Sequence, residues 1–286
     1  MQILQRLPSI LLQLFPLGFL SLAVLPLFGC TVVEPAGPPT VSSGGSSIAI
    51  SPAARSRIGQ KIWTNECGRT VDGLTSWNVG EGFASLGIGH FIWYPVGVSG
   101  PYDESFPGLV RFCLDRKVAV PAWVRGAKDC PWATKSEFEA ARAGAQMGEL
   151  RRFLAATVDV QTDYIVARLE AALPKLMASS RPELKDQVRS QFYAVAESPQ
   201  GIYALVDYVN FKGEGTKTSE RYRGEGWGML QVLEGMRPGV RGSAAAVEFG
   251  ESAKRVLTRR VSNAPRDESR WLAGWKNRCS SYGKPL

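Results

Sequence analysis

Histidine is almost missing from this chain: 286 residues contain one, His90. The five cysteines include no C-x-x-C pair. Together these absences leave no metal-ligand pattern, so neither a metal nor another cofactor is expected. No run of five or more lysines and arginines occurs, so the formal charge of +8 is spread along the chain. With no basic and aromatic motif to accompany it, nucleic acid is not the expected partner. There is no internal repeat, which excludes a solenoid or propeller. What remains is ordinary globular composition, 44% apolar and 21% charged. That length suffices for one large domain or two small lobes around a sizeable core. A pI near 9.4 favours an anionic partner such as anionic lipid or an acidic cell-wall polymer.

Charge is also scarce at the start. Arg6 is the only charged residue before the apolar run "LPSILLQLFPLGFLSLAVLPLFGC". Pro16 and Pro26 interrupt that run, so it resembles a secretory signal rather than a spanning helix. It ends in Leu27-Phe28-Gly29-Cys30, which resembles a bacterial lipobox with Cys30 as the lipidated residue; Phe28 is larger than usual for that motif. Residues 1–30 are therefore expected to be a signal with a lipid attachment site, giving an exported, periplasmic or envelope protein. Residues 31–50, rich in Pro, Gly, Ser and Thr, read as a flexible tether. Four cysteines remain, Cys67, Cys113, Cys130 and Cys279. In an oxidising compartment they imply two disulfides, with three connectivities open. Cys113 with Cys130 is the preferred local pair, which leaves Cys67 with Cys279.

Residues 51–286 read as one domain. A helix is predicted from Pro52 to about Asn65, capped by Ser51, with Ile58, Ile62 and Trp63 as its apolar stripe. Glycines at 68, 73, 80 and 82 then break helicity. "LTSWN" and "FASLGIGHFIWYP" read as two strands of a hairpin around "VGEG". Residues 96–135 read as irregular loops with short helices. Helical patterns follow at about 136–156, 159–178, 183–197, 200–210, 226–236, 243–249 and 268–280. The expected class is α+β, a small β-hairpin lobe beside a larger helical one.

A glutamate at a helix end, a glycine-rich hairpin and then helices form an order suited to glycoside cleavage. The leaving oxygen needs a proton, and a carboxyl partly covered by a hairpin can supply it. Glu66 stands where the helical pattern stops. "SLGIGH" resembles the T-x-G-x-G-H strand motif of phage-type lysozymes, the endolysins, in which that motif follows a helix-borne catalytic glutamate. "ALVDYVNFKGEG" resembles the same family's helix ending in F-x-x-G-E/A-G. "GMLQVLEG" with "AAAVEF" resembles its next two helices, and "KRVLTRRVSN" resembles its arginine-rich closing region loosely. The resemblance covers about 51–95 and 200–275, with an enlarged middle region at about 96–199. It implies a lysozyme-like fold, Glu66 as general acid, and peptidoglycan glycan strands as substrate.

One departure stands out. The aspartate that the family carries on its first strand would fall near Asn78 or Val79, so that carboxylate is missing; Ser85 takes the place of the family's threonine. Glu81, in the turn "VGEG", shares a strand face with Phe83 and Ser85 and is the candidate base, able to hold a water with Ser85. Asn78, Phe91, Asn210 and Glu214 are the candidate substrate contacts, and His90 is expected to be structural. Gly87 and Gly89 are expected where the hairpin lies close to the sugar or the catalytic helix. Two reactions remain open. With Glu81 as base, water hydrolyses the bond; with Glu66 alone, the sugar closes an anhydro product, as in lytic transglycosylases. A non-catalytic wall-binding protein on the same fold is the third reading. The oligomeric state is not legible.

Overall fold

The computed structural model describes residues 48–286 except 101 and 219. Residues 1–47, and with them the expected signal, Cys30 and nearly all of the tether, lie outside the described residues.

Helix α1, Pro52–Cys67, begins as the sequence predicts. The Ser51 hydroxyl accepts from the Ala54 amide at 3.2 Å, and Pro52 occupies the first helical position, where no amide is needed. The helix stops at Gly68, whose amide returns to the Trp63 carbonyl. It buries Ala54, Ile58, Gly59 and Ile62. Full burial of Ile58 or Ile62 contributes about 1.5–3 kcal/mol each.

The expected two-stranded hairpin is instead a three-stranded antiparallel meander. Strands β1 (Thr75–Ser76), β2 (Ala84–Leu86) and β3 (Phe91–Trp93) lie in the order β1-β2-β3. Thr75 pairs with Leu86, and Leu86 with Phe91. The run read as one long strand is broken at Gly87–His90. Gly87 has φ +69, donates its amide to the Leu74 carbonyl at 2.8 Å, and starts a turn closed by the His90 amide. A Cβ on Gly87 would overlap the Gln161 side-chain oxygen, which accepts from the Ile88 amide at 2.9 Å. A Cβ on Gly89 would strike the Phe91 ring and approach Ile165. Both glycines therefore seat the turn on a later helix, and the Gly87 carbonyl also lies 3.7 Å from the Cys67 sulfur at the end of α1, so the turn is close to the helix that carries Glu66.

That later helix belongs to the middle region. Helices α2 (Phe106–Asp115), α3 (Ala122–Gly126), α4 (Lys135–Ala140), α5 (Ala145–Ala156), α6 (Val158–Ser179) and α7 (Lys185–Ala196) follow the sheet. They are not an appendage. Phe106, Phe138, Leu150, Leu154, Leu176 and Phe192 share one core with Ile58, Leu86 and Trp93. Helix α6 packs on α1, α2 and α7, and its Gln161 ties the sheet turn to the Leu154 carbonyl.

Helix α8, Pro199–Lys212, is buried from Gly201 to Tyr208. A short hairpin that the sequence reading lacks follows it, β4 (Arg221–Tyr222) and β5 (Glu225–Gly226). The chain closes with α9 (Met229–Glu234), α10 (Gly242–Asn263) and α11 (Ser269–Ser280). Helix α10 is far longer than the expected 243–249. Its second half buries Val256, Leu257 and also Arg260, whose guanidinium bonds Glu268 at 2.8 and 3.2 Å. The class is α+β, helix-rich with a small antiparallel sheet. No helix among the described residues is long and apolar enough to cross a membrane.

The expected disulfides are not formed. Cys67, Cys113, Cys130 and Cys279 are buried free thiols. Each sits in its own surroundings. Cys67 Sγ lies 3.7 Å from the Gly87 carbonyl and 3.9 Å from His90 Nε2, while Cys279 faces the charges of Asp207 and Lys212. Cys113 lies in α2 beside Arg116, and Cys130 donates its amide to the Tyr94 carbonyl. Burial pushes the thiols of Cys67, Cys130 and Cys279 up to about 12 and that of Cys113 to about 11.

Candidate active site

Glu66 lies in the last turn of α1, with its side chain 14% exposed. Its two oxygens face different elements. Oε1 accepts from Arg278 Nη2, on α11, at 3.2 Å. Oε2 lies 3.8 Å from Nδ1 of His90, in the turn between β2 and β3. The second distance is longer than a hydrogen bond. His90 takes φ +46, an uncommon backbone for a residue with a side chain. The turn built by Gly87 thus sets the imidazole between the Cys67 sulfur and the Glu66 carboxyl, so His90 is a neighbour of Glu66.

Behind Glu66 lies a buried carboxylate, Asp207 of α8, 3% exposed. Arg278 grips it with Nε at 2.7 Å and Nη2 at 2.8 Å. The phenols of Tyr203 and Tyr282 donate to it at 3.0 and 2.7 Å. Asn65, next to Glu66, donates to the Tyr203 oxygen at 2.5 Å. Burial, with the Asp207 charge, pushes both phenols upward, so they remain donors. The hydrogen bond to Asp207 and the charges of Asp207 and Glu66 outweigh burial and hold Arg278 above its usual range.

Aromatic rings support this cluster from the side. The Arg278 guanidinium lies 4.6 Å from the Phe211 centroid, and Lys212 Nζ lies 3.5 Å from the Trp275 centroid. Arg260 stacks 4.2 Å over Trp227. Burial, aided by the Arg260 charge, lowers Lys212 to about 7.

None of the remaining expected residues is hydrogen-bonded or ion-paired to Glu66. Glu81 Oε2 accepts from Asn78 Nδ2 at 3.0 Å, and its carbonyl accepts from Trp77 Nε1 at 2.7 Å, so its contacts are within its own turn. Ser85 is 4% exposed, in the middle of β2 and paired with Ser76 and Ile92. Phe91 is 1% exposed, its ring 5.5 Å from that of Tyr164; it is core and has no free face for a sugar, which corrects its reading as a substrate contact. Asn210 is exposed in the last turn of α8. Glu214 pairs with Lys175 of α6 at 2.8 Å. Its loop faces the segment after the sheet: after burial, the charges of Glu81 and Glu220 raise the Tyr102 phenol. Gln231 fixes the same loop, accepting from the Gly228 amide and donating to the Gly215 carbonyl at 2.9 and 3.0 Å.

Sequence reasoning missed Arg278 and Asp207. The closing arginines were sought in "KRVLTRRVSN", whereas the arginine at Glu66 stands in "KNRCSS" of the next helix. The only sequence signal for Asp207 was a charged residue inside the apolar run "IYALVDYV". Among the described residues, no group of three His, Cys, Asp or Glu side chains is placed to hold a metal ion. Comparison with protein-family models, with curated proteins and with solved structures finds no match.

Proposed function

We propose that the chain is a lysozyme-like peptidoglycan glycosidase in which Glu66 is the general acid. The observation that carries this reading is the placement of Glu66 itself. A largely covered carboxyl ends a helix, beneath a glycine-built turn, with one oxygen hydrogen-bonded to Arg278. A carboxyl so enclosed can meet a glycosidic oxygen without a competing water shell. The motif order across 51–95 and 200–275 supplies the substrate class, the β-1,4 glycan of the wall. The N-terminal run and Cys30 supply the location, an exported and lipid-tethered protein beside that wall. The free thiols take away disulfide bonding as an argument for export, which rests on the leader alone.

The route after protonation is favoured by a specific observation. Glu66 has Arg278 and His90 as its partners, and Glu81 binds Asn78 in its own turn. Asp207 is too deeply enclosed to hold an attacking water. In the second reading Glu66 acts alone: it first donates a proton and then removes one from the sugar hydroxyl that closes an anhydro ring. A peptidoglycan-impregnated gel tests the main reading: clearing by wild type, and none by Glu66→Gln with unchanged circular dichroism. If neither protein clears the gel while both are folded, a wall-binding role replaces catalysis.

A further inference from the structure

Two carboxylates share the one guanidinium at this centre, and they do so unequally. Asp207 takes Arg278 through both Nε and Nη2, at 2.7 and 2.8 Å, while Glu66 receives a single 3.2 Å bond from Nη2. Asp207 also receives both tyrosine hydroxyls, so four donors converge on it. The bonds close a ring that starts and ends on α1: Asn65 to Tyr203, Tyr203 to Asp207, Arg278 to Asp207, and Arg278 to Glu66. A bidentate guanidinium has a fixed plane. Once Asp207 sets that plane, the direction in which Nη2 reaches Glu66 is also set.

We propose that Asp207 is a positioning residue for Glu66: its buried carboxylate clamps Arg278 and offsets the guanidinium charge, so that Glu66 is oriented by a hydrogen bond without the full pull of an unpaired cation. This rests on the reading of Glu66 as a proton donor. A general acid must still hold its proton when the substrate arrives. An arginine with no other partner would work against that, because a neighbouring cation lowers a carboxyl by about one to three pH units. The other groups facing Glu66 do not supply the offset. His90 from the sheet turn adds either no charge or a positive one. Cys67 on the same helix, Tyr203 on α8 and Tyr282 after α11 stay neutral where a carboxyl titrates. Asp207 is therefore the negative charge that balances Arg278.

The test is a carbon-13 titration of the Glu66 side-chain carboxyl in the folded protein, its resonance identified by its loss in Glu66→Gln. His90, the only histidine, is followed separately by its ring signals. In Asp207→Asn the Glu66 midpoint is expected to fall by about one to three pH units. The alkaline limb of kcat/KM on peptidoglycan is expected to fall with it, which loss of structure alone would not produce. An unmoved midpoint overturns the proposal. If Asp207→Asn does not fold, Arg278→Gln reads the pair from the other side: the midpoint is expected to rise, because Asp207 then acts unopposed, and no rise overturns the proposal. The titration does not depend on activity. A moved midpoint in a protein that cuts no glycan keeps the positioning role and removes the glycosidase reading. Normal cutting with an unmoved midpoint does the reverse.

Discussion

Lys212 gives the fold a pH dependence whose sign and size follow from where its amine lies. The side chain is enclosed between Phe211 and Trp275, with Nζ 4.1 and 3.5 Å from the ring centroids, and the Arg260 guanidinium close by. Burial first, and then the Arg260 charge, bring the amine down to about 7 from 10.5. Between those two values the unfolded chain holds a proton that the folded chain has released. Stability therefore rises with pH across this window; below it both states are protonated and the folded state bears the full cost of burying the charge. One proton corresponds to about 1.4 kcal/mol per pH unit; the folded amine is half protonated at about pH 7, so the gain between pH 7 and 9 comes to about 2.3 kcal/mol. Urea unfolding of wild type and Lys212→Met at a series of pH values isolates this contribution, since every other titrating group is common to both. The stability difference, wild type minus variant, is expected to climb by about 2–3 kcal/mol from pH 7 to 9. A difference that stays flat would mean that the rings and Glu268 compensate the buried cation fully, and the assignment would fail.

Above pH 9 the sign reverses. The four thiols, held at about 11 to 12 in the fold, ionise earlier in the unfolded chain, so wild type is expected to lose stability progressively from pH 9 upward, as read by thermal unfolding. Non-reducing thiol titration of residues 48–286 is expected to find four reactive groups in denaturant and almost none in buffer; two or fewer in denaturant would show that disulfides form after all. Gly87→Ala combines a left-handed φ with overlap on Gln161, and a loss of about 2–4 kcal/mol in urea unfolding is expected; a change below 0.5 kcal/mol, typical of an exposed site, would contradict the close seating on α6. Glu81→Gln is expected to keep turnover within about tenfold, because its carboxylate serves the Asn78 turn; a loss of about 100-fold or more would restore it as the base.

How much of this was legible beforehand depended on how local the cause was. The start of α1 is local: a serine, a proline and an apolar stripe within three turns, and the helix begins where they say. The strand run failed because Gly87–His90 makes a turn whose reason lies in Gln161, on a helix more than seventy residues away. Helix α10 runs past the expected 249 through "KRVLTRRVSN", where Arg260 is buried against Glu268 of the following segment. The candidate acid was legible because it stands at a helix end before glycines. Its partners were not. Arg278 lies 212 residues from Glu66, and no pattern along the chain announces that the two will meet. The disulfide expectation came from counting an even number of cysteines, which carries no information about where four side chains point in a folded core.

The most direct measurement is mass analysis of the soluble fragments released from purified peptidoglycan by wild type and by Glu66→Gln, each verified as folded. Wild type is expected to release muropeptides at a rate that Glu66→Gln lowers by at least about 100-fold, with anhydro ends marking the single-carboxyl route and reducing ends marking hydrolysis. Equal release by the two proteins would contradict the assignment of Glu66 as the proton donor.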